Sequence, residues 1–173
     1  IKPLNSFQII VLGFAGVILA GALLLMLPVS SATHCVTPFL SALFTSTTSV
    51  CVTGLIVVDT GTYWSVFGQA VILVLIQIGG MGVVTVAAAV TIVSGRKIGL
   101  MQRSTMQEAV AAPKMSGIVR LTGFIIRATF LIELSGAALL APVFCRDFGP
   151  VRGLWMALFH SISAFCNAGI DLM

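Results

Sequence analysis

Two short stretches concentrate the residues that could do chemistry in an otherwise apolar chain. They are Thr48-Ser49-Val50-Cys51-Val52-Thr53-Gly54-Leu55 and Ala164-Phe165-Cys166-Asn167-Ala168-Gly169-Ile170. Cys51 or Cys166 with His160 is the raw material of a thiol nucleophile, but no Asp or Glu is placed to orient the histidine. The other chemistry uses the backbone. A row of main-chain carbonyls replaces the water shell of a dehydrated alkali cation. Glycine, lacking a Cβ, reaches backbone angles that let neighbouring carbonyls turn inward. A lone T-x-G is a weak motif, and Val50 to Leu55 reads equally well as a buried β-branched strand. The decision rests on what surrounds these segments.

Other groups are sparser. Asp59 and Asp171 follow the two glycines and are candidate carboxylates at the outer mouth of a cation path; Asp59, in Asp-Thr-Gly, also suits an ordinary turn. Arg127 and Glu133 lie inside an apolar stretch, six apart and so on different helix faces. Ionisable groups there face a bundle interior or a cavity. A structural ion pair with a helix missing from this chain is the first expectation for each, and a gating or dimer-interface role the second. Gly79-Gly80-Met81-Gly82 suits close helix packing or a bend, with hinge-like gating at Gly79, Gly80 and Gly82 as the alternative. Four cysteines without a C-x-x-C pair give neither a disulfide scaffold nor a zinc site. Cys35 and Cys145 are conceivable disulfide partners, and His34 and His160 lack companions at metal-ligand spacing.

The elements that must position these groups follow from composition. Of 173 residues, 58% are hydrophobic and 8% charged, with a mean hydropathy of +1.14. A soluble domain carries about a quarter charged residues. The composition therefore excludes a cytosolic enzyme, a disordered chain and a nucleic-acid binder, and predicts an all-α membrane protein in a lipid bilayer. A spanning helix needs about 20 apolar residues. Phe7–Leu27, Trp64–Val93 and Ile118–Phe144 meet that length. Pro38–Ser49 and Leu154–Phe165 are too short to span and are predicted as re-entrant half-helices. Thr37-Pro38 suits the first of these as hydroxyl N-cap and first-turn proline. Ser30-Ser31-Ala32 resembles a signal-peptide cleavage site, although the preceding apolar run is long for one.

Charge sets the expected orientation. Arg96, Lys97, Arg103 and Lys114 fall in the connection 94–117, whereas 28–63 has no Lys or Arg. The positive-inside rule places that connection and the N-terminus in the cytoplasm and both half-helices on the outside. A membrane-surface helix over Leu100–Ala112 is an equal alternative to a plain linker. The net charge of +4 is then a topological signal, not a binding patch.

The chain also repeats. At a shift of 115 residues, Ala42, Leu43, Phe44, Ser46, Cys51 and Gly54 meet Ala157, Leu158, Phe159, Ser161, Cys166 and Gly169. Roughly one identity is expected by chance over that stretch. Gly21-Ala22 and Leu24-Leu25 likewise meet Gly136-Ala137 and Leu139-Leu140. The unit is span, half-helix, extended segment, span. It divides the chain into a first repeat (1–93), a cytoplasmic connection (94–117) and a second repeat (118–173) broken off after its loop. Both copies run in the same direction, so they surround an axis along the membrane normal. An internal counterpart for Phe7–Leu27 also argues against cleavage. Non-helical backbone at membrane depth must be buried or line a hydrated path, and the half-helix ahead aims its negative C-terminal end there, favouring a cation.

With these residues in place the chain resembles the Trk/Ktr/HKT potassium transporters, most closely the bacterial Ktr-type pore subunit. The first loop, Val57-Val58-Asp59, Gln77-Ile78-Gly79-Gly80-Met81-Gly82 and the stretch from His160 to Gly169 carry the likeness. Ile170 departs from it, standing where the family often has an aromatic residue. The resemblance implies a K+-channel-like pore of four span–half-helix–span repeats, of which about one and a half are present in this N-terminal fragment. It implies K+ uptake without a covalent cofactor, with Na+ as a candidate coupling ion. It also implies homodimerisation of the full-length subunit and a cytosolic nucleotide-binding regulatory ring. Carried across, the cation-coordinating positions are Val52, Thr53 and Gly54, then Asn167, Ala168 and Gly169, all through backbone carbonyls. Serine at the first-loop glycine accompanies sodium selectivity in plant relatives, so Gly54 favours potassium. The rival readings are a non-conducting membrane scaffold and the thiol enzyme.

Overall fold

A computed structural model describes residues 6–82, 85 and 118–173. The element order is α1 (Ser6–Met26), a 3-10 turn (Pro28–Ser30), α2 (Phe39–Val50), α3 (Thr60–Tyr63), α4 (Val66–Met81), α5 (Ile118–Phe148) and α6 (Pro150–Phe165). Only an isolated Ser31–Trp64 bridge represents extended pairing among the described residues. The connection 94–117 and the segment Leu100–Ala112 lie outside them.

α1 and α5 are long and apolar enough to cross a membrane. At 1.5 Å per residue, the 21 residues of α1 reach about 31 Å and the 31 of α5 about 46 Å. Their outward faces stay apolar: Val11 is 65%, Leu131 69% and Leu139 80% exposed. A continuous exposed apolar belt of this kind needs lipid or another protein against it, and its buried face meets the short helices. The chain is an all-α membrane protein.

Proline placement explains where α1 stops but does not stop α5. Pro28 cannot donate to the Leu24 carbonyl. The Ser30 hydroxyl takes that carbonyl instead at 2.6 Å, and α1 gives way to the 3-10 turn. Pro142, the near-counterpart in the second repeat, does not end its helix: α5 continues through it to Phe148, four residues beyond the predicted limit.

The half-helices form with shifted ends. α2 begins one residue late, with Pro38 itself as N-cap and no side-chain cap. Thr37 does not cap it. It is fully buried, and its hydroxyl meets the Tyr63 hydroxyl at 3.3 Å. α6 starts at Pro150, before the predicted Leu154, because Pro150 is preformed for a first helical turn after Gly149 at φ 83°. Both helices run on into their loops, so Thr48 to Val50 and Ala164-Phe165 are helical, not extended as expected. Of the predicted span Trp64–Val93, α4 covers Val66–Met81, where Gly82 at φ 82° caps it; beyond Gly82 all but Thr85 lies outside the described residues.

The ends are clamped. The Ser65 hydroxyl accepts from the Gly68 amide and donates to the Val29 carbonyl. The amides of Ala32 and Ser65 reach the carbonyls of Tyr63 and Ser30, each at 2.9 Å. This fixes the start of α4 beside the end of α1. The core between the layers holds Leu25, Ala42, Val50, Trp64, Ile72, Ile76, Met156 and Phe159.

Candidate ion-conduction site

The two loops leave the C-termini of α2 and α6 by the same backbone route. Val52 and Gly54 have φ of 49° and 76°; 115 residues on, Asn167 and Gly169 have 58° and 68°. The Thr53 amide donates to the Thr48 carbonyl at 3.0 Å, and the Ala168 amide to the Ser163 carbonyl at 2.8 Å. A β-branched residue such as Val52 pays of the order of 1–3 kcal/mol to sit at positive φ, so tertiary contacts must hold it there. Alternating handedness breaks the strict two-sided alternation of a strand. Successive carbonyls can then share a side, the chemical requirement for binding a bare cation.

Side chains tie down each loop differently. Thr48 Oγ1 lies 2.6 Å from Thr53 Oγ1 and accepts from the Leu55 amide at 3.0 Å. At the matching place Ser163 Oγ donates to the Ile170 carbonyl at 2.6 Å. The first loop thus has an amide engaged and the second a carbonyl. The loops lie side by side: a methyl built at Gly54 would come 2.7 Å from the Ala168 carbonyl oxygen and 3.4 Å from Gly169 Cα. Gly54 is thus brought against Ala168 and Gly169, while Val52, Thr53 and Asn167 lie next to these residues along their own loops.

The helices carry the loops through serine. The Ser46 hydroxyl donates to the Ile18 carbonyl at 2.7 Å, and the Ser161 hydroxyl to the Glu133 carbonyl at 2.6 Å. Gly21 and Gly136 leave room for these hydroxyls. α4 closes behind both loops. A side chain at Gly79 would strike the Val50 carbonyl, and one at Gly80 would strike Cys166 Sγ. Gly79 and Gly80 are packing glycines here, and Gly82 ends the helix.

Glu133 is 2% exposed. Its Oε1 accepts from Gln77 Nε2 at 2.8 Å, a link from α5 to α4. This partner is an amide, and Arg127 is exposed. Glu133 Oε2 and Gln77 Oε1 are buried without a partner among the described residues. Asp59 caps α3: its Oδ1 accepts from the Thr62 amide at 2.7 Å and the Thr62 hydroxyl at 2.6 Å. Those bonds, the hydroxyl's first, hold its carboxyl below the usual range. Asp171 is exposed and accepts from the Met173 amide at 3.4 Å.

The thiol reading loses its histidine. His160 Nδ1 faces the Met156 carbonyl at 2.7 Å, Nε2 accepts from the Leu172 amide at 3.4 Å, and the ring stacks on Phe144. Cys35, Cys51, Cys145 and Cys166 are all free thiols, so Cys35 and Cys145 are unpaired. Among the described residues no three His, Cys, Asp or Glu gather as a metal site. Gln69 and Trp155 were missed in the sequence, and Gln77 entered only as part of the motif Gln77-Ile78-Gly79-Gly80-Met81-Gly82, without its bond to Glu133. Trp155 Nε1 donates to Gln69 Oε1 at 2.8 Å.

Long apolar helices, half-length helices ending in paired positive-φ loops, and buried polar braces define an integral membrane protein of the ion-transport class. Comparison with known proteins makes this specific. The family of cation transport proteins described as TrkH matches residues 4–173, and the chain belongs to it. It is 40% identical over 172 residues to the potassium/sodium uptake protein NtpJ of Enterococcus hirae, covering 99% of this chain and 38% of that protein. It is 44% identical over 165 residues to Ktr system potassium uptake protein B of Bacillus subtilis, covering 95% and 37%. The protein of the same name from Vibrio alginolyticus is 38% identical over 165 residues, covering 95% and 36%. The chain thus spans less than two-fifths of these relatives. They are transporters, not enzymes.

Proposed function

We propose that this chain supplies the first two loops of a K+-selective filter in a Ktr-type uptake subunit. The carrying observation is the pair of loops at the half-helix C-termini, with positive φ at Val52 and Gly54 and again at Asn167 and Gly169. Backbone carbonyls of Val52, Thr53, Gly54, Asn167, Ala168 and Gly169 replace water around K+, and the helix C-termini add negative potential at the same point. The relatives' names, potassium uptake and potassium/sodium uptake, support K+ as cargo and Na+ as candidate coupling ion. Around one axis, four such units make the pathway. The full-length subunit forms a homodimer on a cytosolic nucleotide-binding ring, with the half-helices facing outside. Asp171 attracts cations at the mouth; Asp59 serves chiefly as a cap.

The test is Gly54→Ser in the full-length parent. A Cβ there meets the Ala168 carbonyl and distorts the narrowest contact between the loops. Na+ flux should rise relative to K+ flux in proteoliposomes. An unchanged flux ratio in a protein that still elutes as wild type would refute the filter assignment. Replacing Cys51 and Cys166 by Ser should leave flux largely intact. K+-dependent thermal stabilisation of the parent separates a transporter from a scaffold, because ligands stabilise only what binds them.

A further inference from the structure

A groove of about 1060 Å³ runs along the boundary where α3 and the start of α4 face α5 and α6. Its lining changes character along its length. Thr62, Ser65 and Arg152 lie at the end formed by the N-termini of α4 and α6, beside the C-terminus of α5. Deeper along α5 and α6 the lining becomes Leu134, Ala138 and Leu158. Leu134 is fourteen residues before the end of α5, about 21 Å along its axis. The small side chain of Ala138 leaves the slot open between its larger neighbours.

Three further observations gather at the polar end. Both tryptophans of the chain, Trp64 and Trp155, line the groove. Trp155 is committed to Gln69 through its Nε1, and Trp64 is 1% exposed, its indole forming the inner wall. Arg152 is held at the rim with its guanidinium carbon 5.7 Å from the Phe148 ring centroid, and it forms no ion pair among the described residues. One cation and two aromatic rings at one end, with an apolar slot below, match a single kind of molecule. It has an anionic head, ester oxygens and an aliphatic tail. Tryptophan at this level is also the residue that prefers the boundary between headgroups and acyl chains.

We propose that the groove is a binding site for an anionic phospholipid. Its phosphate meets Arg152 at the rim, and one or both acyl chains lie along Leu134, Ala138 and Leu158. The assignment rests on the membrane reading of the chain and not on the filter. It has a consequence for the filter nonetheless. The groove wall contains the Gln69–Trp155 bond, which joins α4 of the first repeat to α6, the helix that ends in the second loop. A lipid wedged there fills the boundary between the repeats and holds α6 in place.

The experiment uses the full-length parent in vesicles of phosphatidylcholine alone or with phosphatidylglycerol. Retained lipid is measured by native mass spectrometry after extraction. Wild type should retain phosphatidylglycerol over phosphatidylcholine. Arg152→Gln should lower that preference about fivefold, the worth of one basic side chain at a charged surface, and Arg152→Lys should restore most of it. Ala138→Trp should displace both lipids by filling the slot; elution as wild type establishes that it folds. Undiminished preference in Arg152→Gln, or no lipid retained by wild type because another part of the parent covers the groove, overturns the proposal. Retention is read without transport, so a failed filter assignment leaves this result interpretable.

Discussion

Position 133 separates what the backbone does from what the side chain does. The carbonyls of Ile18 and Glu133 accept the hydroxyls of Ser46 and Ser161 in turn, so a carboxylate is not needed to seat a half-helix. The Glu133 side chain adds the 2.8 Å bond to Gln77, at the cost of burying a carboxyl group in an apolar interior. Removing one partner of a buried hydrogen bond exposes the other to an unmet desolvation cost of about 1–3 kcal/mol. Glu133→Ala should therefore lower the thermal stability of the parent, while Glu133→Gln, which keeps a bond to Gln77, should melt above it. Equal melting of the two variants would show that the α4–α5 link contributes nothing.

α4 is the element on which both loops depend. Its glycines let it pass directly behind the ends of α2 and α6, and two effects compete at each. Alanine in a helix gains about 0.5–1 kcal/mol over glycine. Overpacking costs about 1–3 kcal/mol, and at Gly79 the obstacle is the Val50 main-chain carbonyl, which cannot swing aside. Overpacking should win: Gly79→Ala destabilises the parent and disturbs the first loop. On α1, a Cβ at Gly16 meets nothing within 4 Å, so Gly16→Ala should be neutral or stabilising. Thermal melts of the two variants check the sign of each. A stable Gly79→Ala protein with wild-type K+ uptake would remove the packing role of this glycine.

For the whole molecule, charge distribution predicts the orientation. Four basic residues in 94–117 against none in 28–63 put the first on the cytoplasmic side. In a parent with its other cysteines replaced, Cys35 should react with a membrane-impermeant thiol reagent added outside intact cells. A cysteine introduced at Lys97 should react only after permeabilisation. The reverse pattern would invert the pathway and place Asp171 on the inner side. Cys35 suits the purpose because it is exposed, its thiol resting only against the Thr33 carbonyl at 3.6 Å.

The sequence alone determined what depends on neighbours along the chain. Apolar run length decides whether a helix spans, so α1 and α5 were legible. The repeat at 115 marked Ser46, Gly54, Ser161 and Gly169 before any contact was known. Ends were less legible. Thr37 and Leu154 were misplaced as starts, because proline at the N-terminus of a helix suits more than one register. Only the tertiary structure decided the pairings: Gln77 with Glu133 across 56 residues, Gln69 with Trp155 across 86, and Gly79 against the Val50 carbonyl. Such contacts depend on the rotation and depth of one helix against another, which local pattern does not encode. The excess positive charge was readable at once as an orientation signal. That one arginine, Arg152, stands at the polar end of an apolar groove became visible only when α3, α4, α5 and α6 were packed around it.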